Sequence, residues 1–566
     1  MIQSTPVTGG RGYSHRPPNG RRERLFRHLV PVLLVGALAF ALGVIFGSLH
    51  RPEEQDVADD YAAAYAERDY DAMYDLLGAA AKARTTEEQF RAAHEDAHAT
   101  ATTERIATEE ADAPEGDTVT IATTVDTRVF GAVKADLELP MDDEARVDWQ
   151  PHLAFPGVRR GERLDRTIDM PERAELRDAN GDELDANTRA SIGGETGPIP
   201  EERAEELRAE GVADDAQVGL SGLERALDDQ LRGKPGGRLR AGSRVLAASR
   251  PRKADPVRTT IVPKVQLAAQ TNLGARLGGV IAMRVGGRDD GDVIAAAGIG
   301  LSGLQPPGST FKIITLSGAL QARITKPTEE FPVATAATLS GVELQNANGE
   351  SCGGDLIESF AHSCNSVFAP LGAEMGAKRL VAMAERFGFN ETPAIEGAAT
   401  PTIPAADEIG DDLAVGASAI GQGRVQANTL QMALAAATIA DRGNRPRPTL
   451  LASDRPKSTR AIPARVARVV DRAMRAVVAY GTGVAAKIPG VVVAGKTGTA
   501  ELEQTQGEVP PGEEEIGQDT TDTTAWFTAY APAKRPRVVV AVMLVEAGAG
   551  GDVAAPVARA VLSEAL

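Results

Sequence analysis

Ser309-Thr310-Phe311-Lys312 sets a hydroxyl and an amine three residues apart. Pro307-Gly308 precede the pair, and Phe311, Ile313, Ile314 and Leu316 follow in helix-compatible register. Ser309 is therefore expected where a turn becomes a helix, with Lys312 one turn later on the same face. A serine hydroxyl is a poor nucleophile until a base takes its proton. An amine at this spacing can reach that proton, but only when neutral, and free lysine titrates at about 10.4. Burial, or a second cation close by, must lower that value by roughly two to three units. Lys496 is the candidate second cation.

Two further motifs follow in order. Ser363-Cys364-Asn365 offers a hydroxyl that could relay a proton between a leaving amine and Lys312, and a carboxamide that could donate to and accept from a substrate amide. Lys496-Thr497-Gly498-Thr499 is expected at the end of a Val491–Ala494 strand, where a sheet edge could pair with an extended peptide. Lys496 and the threonine hydroxyls would attract a terminal carboxylate, and Gly498 would let substrate approach the backbone. Of nineteen serines, only Ser309 has a lysine three residues on. The histidine route to an activated serine has little support. No G-x-S-x-G occurs, and His362 is the only histidine beyond residue 255.

Other apparent motifs carry less. Gly298-Ile299-Gly300-Leu301-Ser302-Gly303 fits a dinucleotide loop, but Pro306-Pro307 follow where a helix must begin. His94-Glu95-Asp96-Ala97-His98 fits a zinc-helix pattern. It lacks an evident third ligand, and a solvated polar face is expected instead. Asp178-Ala179-Asn180-Gly181-Asp182 opens like a calcium loop, yet Glu183 and Arg189 stand where Gly and Glu are required. No metal is expected.

These residues need a scaffold. The chain has 566 residues, a formal charge of −18, 42% hydrophobic and 25% charged residues. That composition is globular and sized for several domains. The negative charge argues against a nucleic-acid partner. Two cysteines exclude a disulfide scaffold, an iron–sulfur cluster and a Cys-only zinc site. Cys352 and Cys364 are twelve apart beside Ser363 and are expected to pair.

Residues 29–49 carry no charge, and at about 1.5 Å per residue they suffice for a hydrocarbon core of roughly 30 Å. The tail 1–28 is arginine-rich and the residues after the span are acidic. A single-pass membrane anchor is expected, with the tail in the cytoplasm and the rest outside. Residues 50–152 read as helices followed by strands, a small α+β domain. Residues 153–255 are charged and Gly-rich with little periodicity, and read as an extended linker. Residues 256–566 hold apolar runs at both ends with helical patterns such as Leu430–Arg442 between. A sheet assembled from the two ends of that domain is expected. Glu501 to Asp522 carries eight acids and no base, and reads as a mobile rim loop.

The three motifs together resemble those of penicillin-binding proteins and class A β-lactamases. The whole chain resembles a class B, membrane-anchored penicillin-binding protein. Leu153-Ala154-Phe155-Pro156-Gly157, Arg177-Asp178-Ala179-Asn180-Gly181-Asp182-Glu183-Leu184 and Gly219-Leu220-Ser221-Gly222-Leu223-Glu224…Leu231-Arg232-Gly233 look like family linker segments. Residues 50–152 look like the cone domain of methicillin-resistance-type members. Gly421-Gln422-Gly423…Leu430-Gln431-Met432-Ala433 is another family segment, with Asn428-Thr429 where Thr-Pro is usual. Ile313 stands where many members have Pro.

The resemblance implies a multidomain α+β chain. Its expected parts are an anchor, a cone, a linker or dimerisation region at 153–255, and a β-lactamase-like transpeptidase domain at 256–566. It implies Ser309 as nucleophile, Lys312 as base and Ser363 as proton shuttle. Asn365, Lys496, Thr497, Gly498 and Thr499 would hold substrate, and the amides of Ser309 and Thr499 would form an oxyanion hole. The implied donor is a peptidoglycan stem peptide ending in D-Ala-D-Ala, with β-lactams as covalent inhibitors. No cofactor is implied, and there is room for a membrane glycan polymerase as partner. A class A β-lactamase would need an E-x-x-L-N loop, which is missing. A D,D-carboxypeptidase and a non-catalytic sensor or division scaffold stay open at this point.

Overall fold

The computed structural model describes residues 51–455, 457–501 and 523–566. The expected anchor and basic tail, and nearly all of the acidic 501–522 segment, lie outside the described residues. No described helix is long and apolar enough to cross a membrane. The chain forms two compact units, and they interleave in sequence. One runs to Asp169 and takes in Ala209–Gly211 and Gly236–Arg250; the other holds Met170–Arg208, Val212–Pro235 and everything from Pro251.

Among the described residues, the N-terminal unit opens with α1 (Glu53–Glu67), α2 (Tyr70–Asp75), α3 (Ala79–Arg84) and α4 (Glu87–Ala101). The i, i+4, i+8 spacing of Val57, Tyr61 and Tyr65 gives α1 its apolar face, and Tyr61 and Tyr65 are fully buried. Thr86 and Gln89 close a capping box at the start of α4. The antiparallel strands β1 (Thr103–Thr108), β2 (Thr118–Thr127) and β3 (Gly131–Pro140) follow. Val119, Ile121 and Val125 face the core from β2.

The histidine pair of α4 differs from its expected solvated face. His94 and His98 are buried, with His94 4.6 Å from the Phe90 ring and 5.8 Å from the Trp149 ring. Burial pulls both imidazoles down to about 3. Glu95 faces solvent. The helical period does put both histidines on one face, but that face is the aromatic core.

The segment expected as an extended linker is folded. β4 (Leu164–Asp169), β5 (Gly236–Ala241) and β6 (Arg244–Ser249) form a three-stranded sheet in the N-terminal unit. In the other unit, its charges gather on buried Asp228, which receives Arg173 at 2.8 Å, Arg232 at 2.9 Å and the Gly219 amide at 2.7 Å. Charge patterning read as solvation is here a buried network, in which the guanidinium hydrogen bonds offset the carboxylate's lost hydration.

The C-terminal unit is built on a five-stranded antiparallel sheet. After α5 (Pro263–Leu273) come β7 (Gly278–Arg284) and β8 (Val293–Gly298). The helices α6 (Lys312–Ala322), α7 (Leu356–Ala361), α8 (Asn365–Met375), α9 (Thr429–Ala440) and α10 (Ala464–Ala479) belong to the middle of the domain. β9 (Ala494–Glu501), β10 (Thr523–Ala531), β11 (Val538–Leu544) and α11 (Gly550–Ala565) close it. The strand order is β8-β7-β11-β10-β9, so the sheet does join the two ends of the domain. Its strands are buried on both faces, and all seven residues of β11 are inaccessible.

One strand sits later than expected. Val491 is turned back on Ile488, and β9 starts only at Ala494. The Lys496-Thr497-Gly498-Thr499 run therefore lies inside the strand, paired with Thr528, Phe527, Trp526 and Ala525 of β10. Backbone pairing with the aromatic β10 holds these small and polar residues extended; of the β-branched run before them, only Val491 is bridged, back to Ile488 across the Pro489-Gly490 turn, and Val492 and Val493 lie outside the ladder.

Candidate active site

Gly308–Phe311 forms a 3-10 turn leading directly into α6. Gly308 adopts φ +52° and donates its amide to the Gly421 carbonyl at 3.0 Å. A side chain at Gly308 would meet the Thr499 carbonyl oxygen at 2.6 Å, so only glycine brings the serine turn this close to β9. The 3-10 geometry eclipses residues i and i+3. Lys312 Nζ accordingly lies 2.9 Å from Ser309 Oγ.

Lys312 is completely buried. Its amine also reaches the Ser363 carbonyl at 2.8 Å, Asn365 Oδ1 at 2.6 Å and Ser363 Oγ at 3.3 Å. Burial holds it well below the usual lysine range, and the charge of Lys496 lowers it further. Lys496, buried on β9, points its amine at Ser363 Oγ at 2.7 Å and at the Thr497 carbonyl at 3.1 Å. Burial brings Lys496 to about 7. Phe368 and Phe360 wall the two amines at 5.8 and 5.4 Å.

Ser363 lies in the turn between α7 and α8 with φ +61°, a left-handed conformation that costs a non-glycine residue energy. That conformation turns both its carbonyl and its hydroxyl toward the two lysines. Cys364 caps α8 and is joined to Cys352 in a disulfide, with Cα atoms 5.7 Å apart. The bond ties the Ser363 turn to the short strand Cys352–Asp355.

Asn365 has both ends of its carboxamide engaged within the protein. Its carboxamide oxygen faces Lys312 and its nitrogen donates to the Gln345 carbonyl at 2.8 Å. One N–H is left for a ligand. His362 is exposed and its ring faces Tyr480 at 6.3 Å, while the Ser309 hydroxyl faces Lys312.

Thus Ser309, Lys312, Ser363, Asn365 and Lys496 form one hydrogen-bonded cluster. Thr497, Gly498 and Thr499 continue along β9, where a side chain on Gly498 would meet the Pro307 carbonyl at 2.8 Å. Among the described residues, no group of three or more His, Cys, Asp or Glu converges to hold a metal.

The penicillin-binding protein transpeptidase domain profile matches residues 295–563, and the penicillin-binding protein dimerisation domain profile matches residues 71–244. The chain belongs to the class B penicillin-binding proteins. The dimerisation match begins at residue 71 and so takes in most of the segment expected as a cone domain.

This penicillin-binding protein is 38% identical over 292 residues to peptidoglycan D,D-transpeptidase PbpA of Mycobacterium tuberculosis, a match covering 47% of this chain and 56% of that protein. It is 25% identical over 386 residues to penicillin-binding protein 3 of Bacillus subtilis, covering 59% of this chain and 55% of that one. The chain therefore spans about half the length of the curated relatives it matches. The D,D-transpeptidase domain of an Eggerthella lenta peptidoglycan glycosyltransferase superposes with TM-score 0.55 at 27% identity, over 70% of this chain and 98% of that one. The penicillin G acyl-enzyme complex of M. tuberculosis penicillin-binding protein A gives 0.54 at 26%, over 70% and 99%.

Two residues of the penicillin-binding protein's site were not singled out by their chemistry. Gly421 packs on the serine turn, where a side chain would meet the Gly308 carbonyl at 2.1 Å. Thr482 touches Thr497. Its only signal in the sequence is a Gly-flanked threonine, Gly481-Thr482-Gly483, after a helical stretch.

Proposed function

We propose that the chain is a peptidoglycan D,D-transpeptidase working through an acyl-enzyme on Ser309. The 2.9 Å contact between Ser309 Oγ and a fully buried Lys312 amine carries this reading. A neutral amine has two N–H bonds and one lone pair. The Ser363 carbonyl and Asn365 Oδ1 take the two N–H bonds, which leaves the lone pair for the Ser309 proton. Ser309 Oγ then attacks the penultimate D-Ala carbonyl, and its proton passes to Lys312. The amides of Ser309 and Thr499 would stabilise the oxyanion; the close packing of Gly308 on Thr499 supports that pairing.

The C–N bond to the terminal D-Ala then breaks. Ser363, within reach of both amines, would pass the proton from Lys312 to the departing D-Ala nitrogen. An amine from a neighbouring stem attacks the ester, returns a proton to Ser309 and leaves a new peptide bond. Lys496, Thr497 and Thr499 would hold the donor's terminal carboxylate, and the remaining Asn365 N–H its amide. β-Lactams, bound as acyl-enzymes by the M. tuberculosis relative, would acylate Ser309 in place of the donor.

The anchor at 29–49 would hold the enzyme on the outer face of the membrane, with the 50–152 region as a cone-like platform. A membrane glycan polymerase is the partner that reaction requires, because cross-linking consumes the strands such an enzyme makes. The test is D-Ala release from a D-Ala-D-Ala peptide with and without an added amine. Amine-dependent cross-linked product is expected. Release without an amine points to a carboxypeptidase, and no turnover to a sensor.

A further inference from the structure

Thr482 follows α10 in a turn that bridges the second and third motifs. Its amide donates to the Ala361 carbonyl at 3.1 Å, and its hydroxyl lies 3.4 Å from the same oxygen. Ala361 ends α7, two residues before Ser363. On the other side, Thr482 Oγ1 lies 2.6 Å from Thr497 Oγ1. The turn is tightly set: a side chain on Gly481 would meet the Ala361 carbonyl at 2.2 Å, and one on Gly551 the Thr482 carbonyl at 2.4 Å.

Each hydroxyl has one proton, and the direction of this pair decides what Thr497 can offer a ligand. If Thr497 donates to Thr482, it turns only lone pairs toward the site, which repel an anion. If Thr482 donates to Thr497, the Thr497 proton is released toward the site. The second direction leaves nothing unpaired, because the Ala361 carbonyl already accepts the Thr482 amide. Its 3.4 Å contact with the Thr482 hydroxyl is the weaker bond and is the one given up. A chain of donors pointing at an anion is also mutually polarising.

We infer that Thr482 is a specificity-determining positioning residue: by donating to Thr497 it makes that hydroxyl a committed donor to the carboxylate of the incoming acyl donor. This rests on the transpeptidase reading above. Thr482 touches no reacting atom, so its effect falls on carboxylate recognition and leaves the Ser309–Lys312 pair intact.

The experiment compares second-order acylation of Ser309 by penicillin G and by its methyl ester, followed by intact mass, in wild type, Thr482→Val and Thr482→Ser. Thr482→Val keeps the shape and loses the donor. It is expected to slow penicillin G by about fivefold, the size of one ordinary hydrogen bond, and to leave the ester rate unchanged. Thr482→Ser is expected to behave as wild type toward both. Equal loss for acid and ester in Thr482→Val, no loss for either, or a serine variant that behaves like valine overturns the inference. Absence of any Ser309 adduct in the wild type overturns the transpeptidase reading and this inference with it; a wild-type adduct with an unchanged acid-to-ester ratio overturns the inference alone.

Discussion

Asn365 Oδ1 and Lys312 Nζ are 2.6 Å apart, the shortest of the hydrogen bonds that converge on the buried amine. A neutral carboxamide accepts from the lysine without favouring its charged form as strongly as a carboxylate would. Asn365→Asp puts an anion at that distance and raises the lysine's proton affinity. Acylation of Ser309 at pH 7 should fall at least about tenfold, the equivalent of one unit of proton affinity. The acid limb of the pH–acylation profile should move upward. An unchanged limb would mean that Lys312 is not the titrating base.

The proposed mechanism asks the two buried amines for opposite charge states. Lys312 must be neutral to take the serine proton, while Lys496 serves the carboxylate best as a cation. Acylation by a carboxylate-bearing β-lactam should rise as Lys312 loses its proton and decline above pH 7, where Lys496 loses its own. In Lys496→Arg the decline should disappear, because arginine stays charged throughout. Initial acylation rates from pH 5 to 10 test this, and a decline retained in the arginine variant would assign the limb elsewhere.

Lys496 also weighs on the fold. Its folded value, about 7, lies below the unfolded lysine value of about 10.4. Between those values the unfolded chain binds a proton that the folded chain has released, so stability rises with pH across that window. Lys496→Met removes the titration. Its melting temperature should exceed the wild type's at pH 7, and the gap should narrow as pH approaches 10. A gap independent of pH would contradict the burial argument.

The Cys352–Cys364 bond closes a loop across a separation of twelve residues. Chain-entropy reasoning gives a loop of that size about 3 kcal/mol. Thiol titration in denaturant without reductant should find no free thiols, and two after reduction. Reduction of the folded protein should lower its melting temperature by several degrees and slow acylation, because the strained Ser363 turn loses its tether. Two thiols before reduction would remove the bond from the account.

What the sequence makes legible is the chemistry whose parts are close together in the chain. The three-residue spacing of Ser309 and Lys312 survives folding because a single helical turn enforces it. The sheet's two-ended construction is readable because β7, β8 and β11 are largely continuous apolar runs. The position of β9 is not, since its residues are extended by pairing with β10 rather than by their own β-preference. His94 and His98 show the same limit: period gives the shared face, but only tertiary packing says whether that face meets water. The 153–255 segment misled because buried Asp228 collects arginines from across that stretch. Thr482 was invisible for a similar reason, as its partners lie at Ala361 and Thr497.

The central claim is that a buried, neutral Lys312 activates Ser309. Its most direct test is time-resolved intact mass with labelled penicillin on wild type, Ser309→Ala and Lys312→Met, with melting temperatures confirming that all three are folded. A single adduct in wild type, none in Ser309→Ala, and acylation slowed by about a hundredfold or more in Lys312→Met are expected, the range of general-base catalysis. An adduct that persists in Ser309→Ala, or forms at the wild-type rate in Lys312→Met, would contradict the claim.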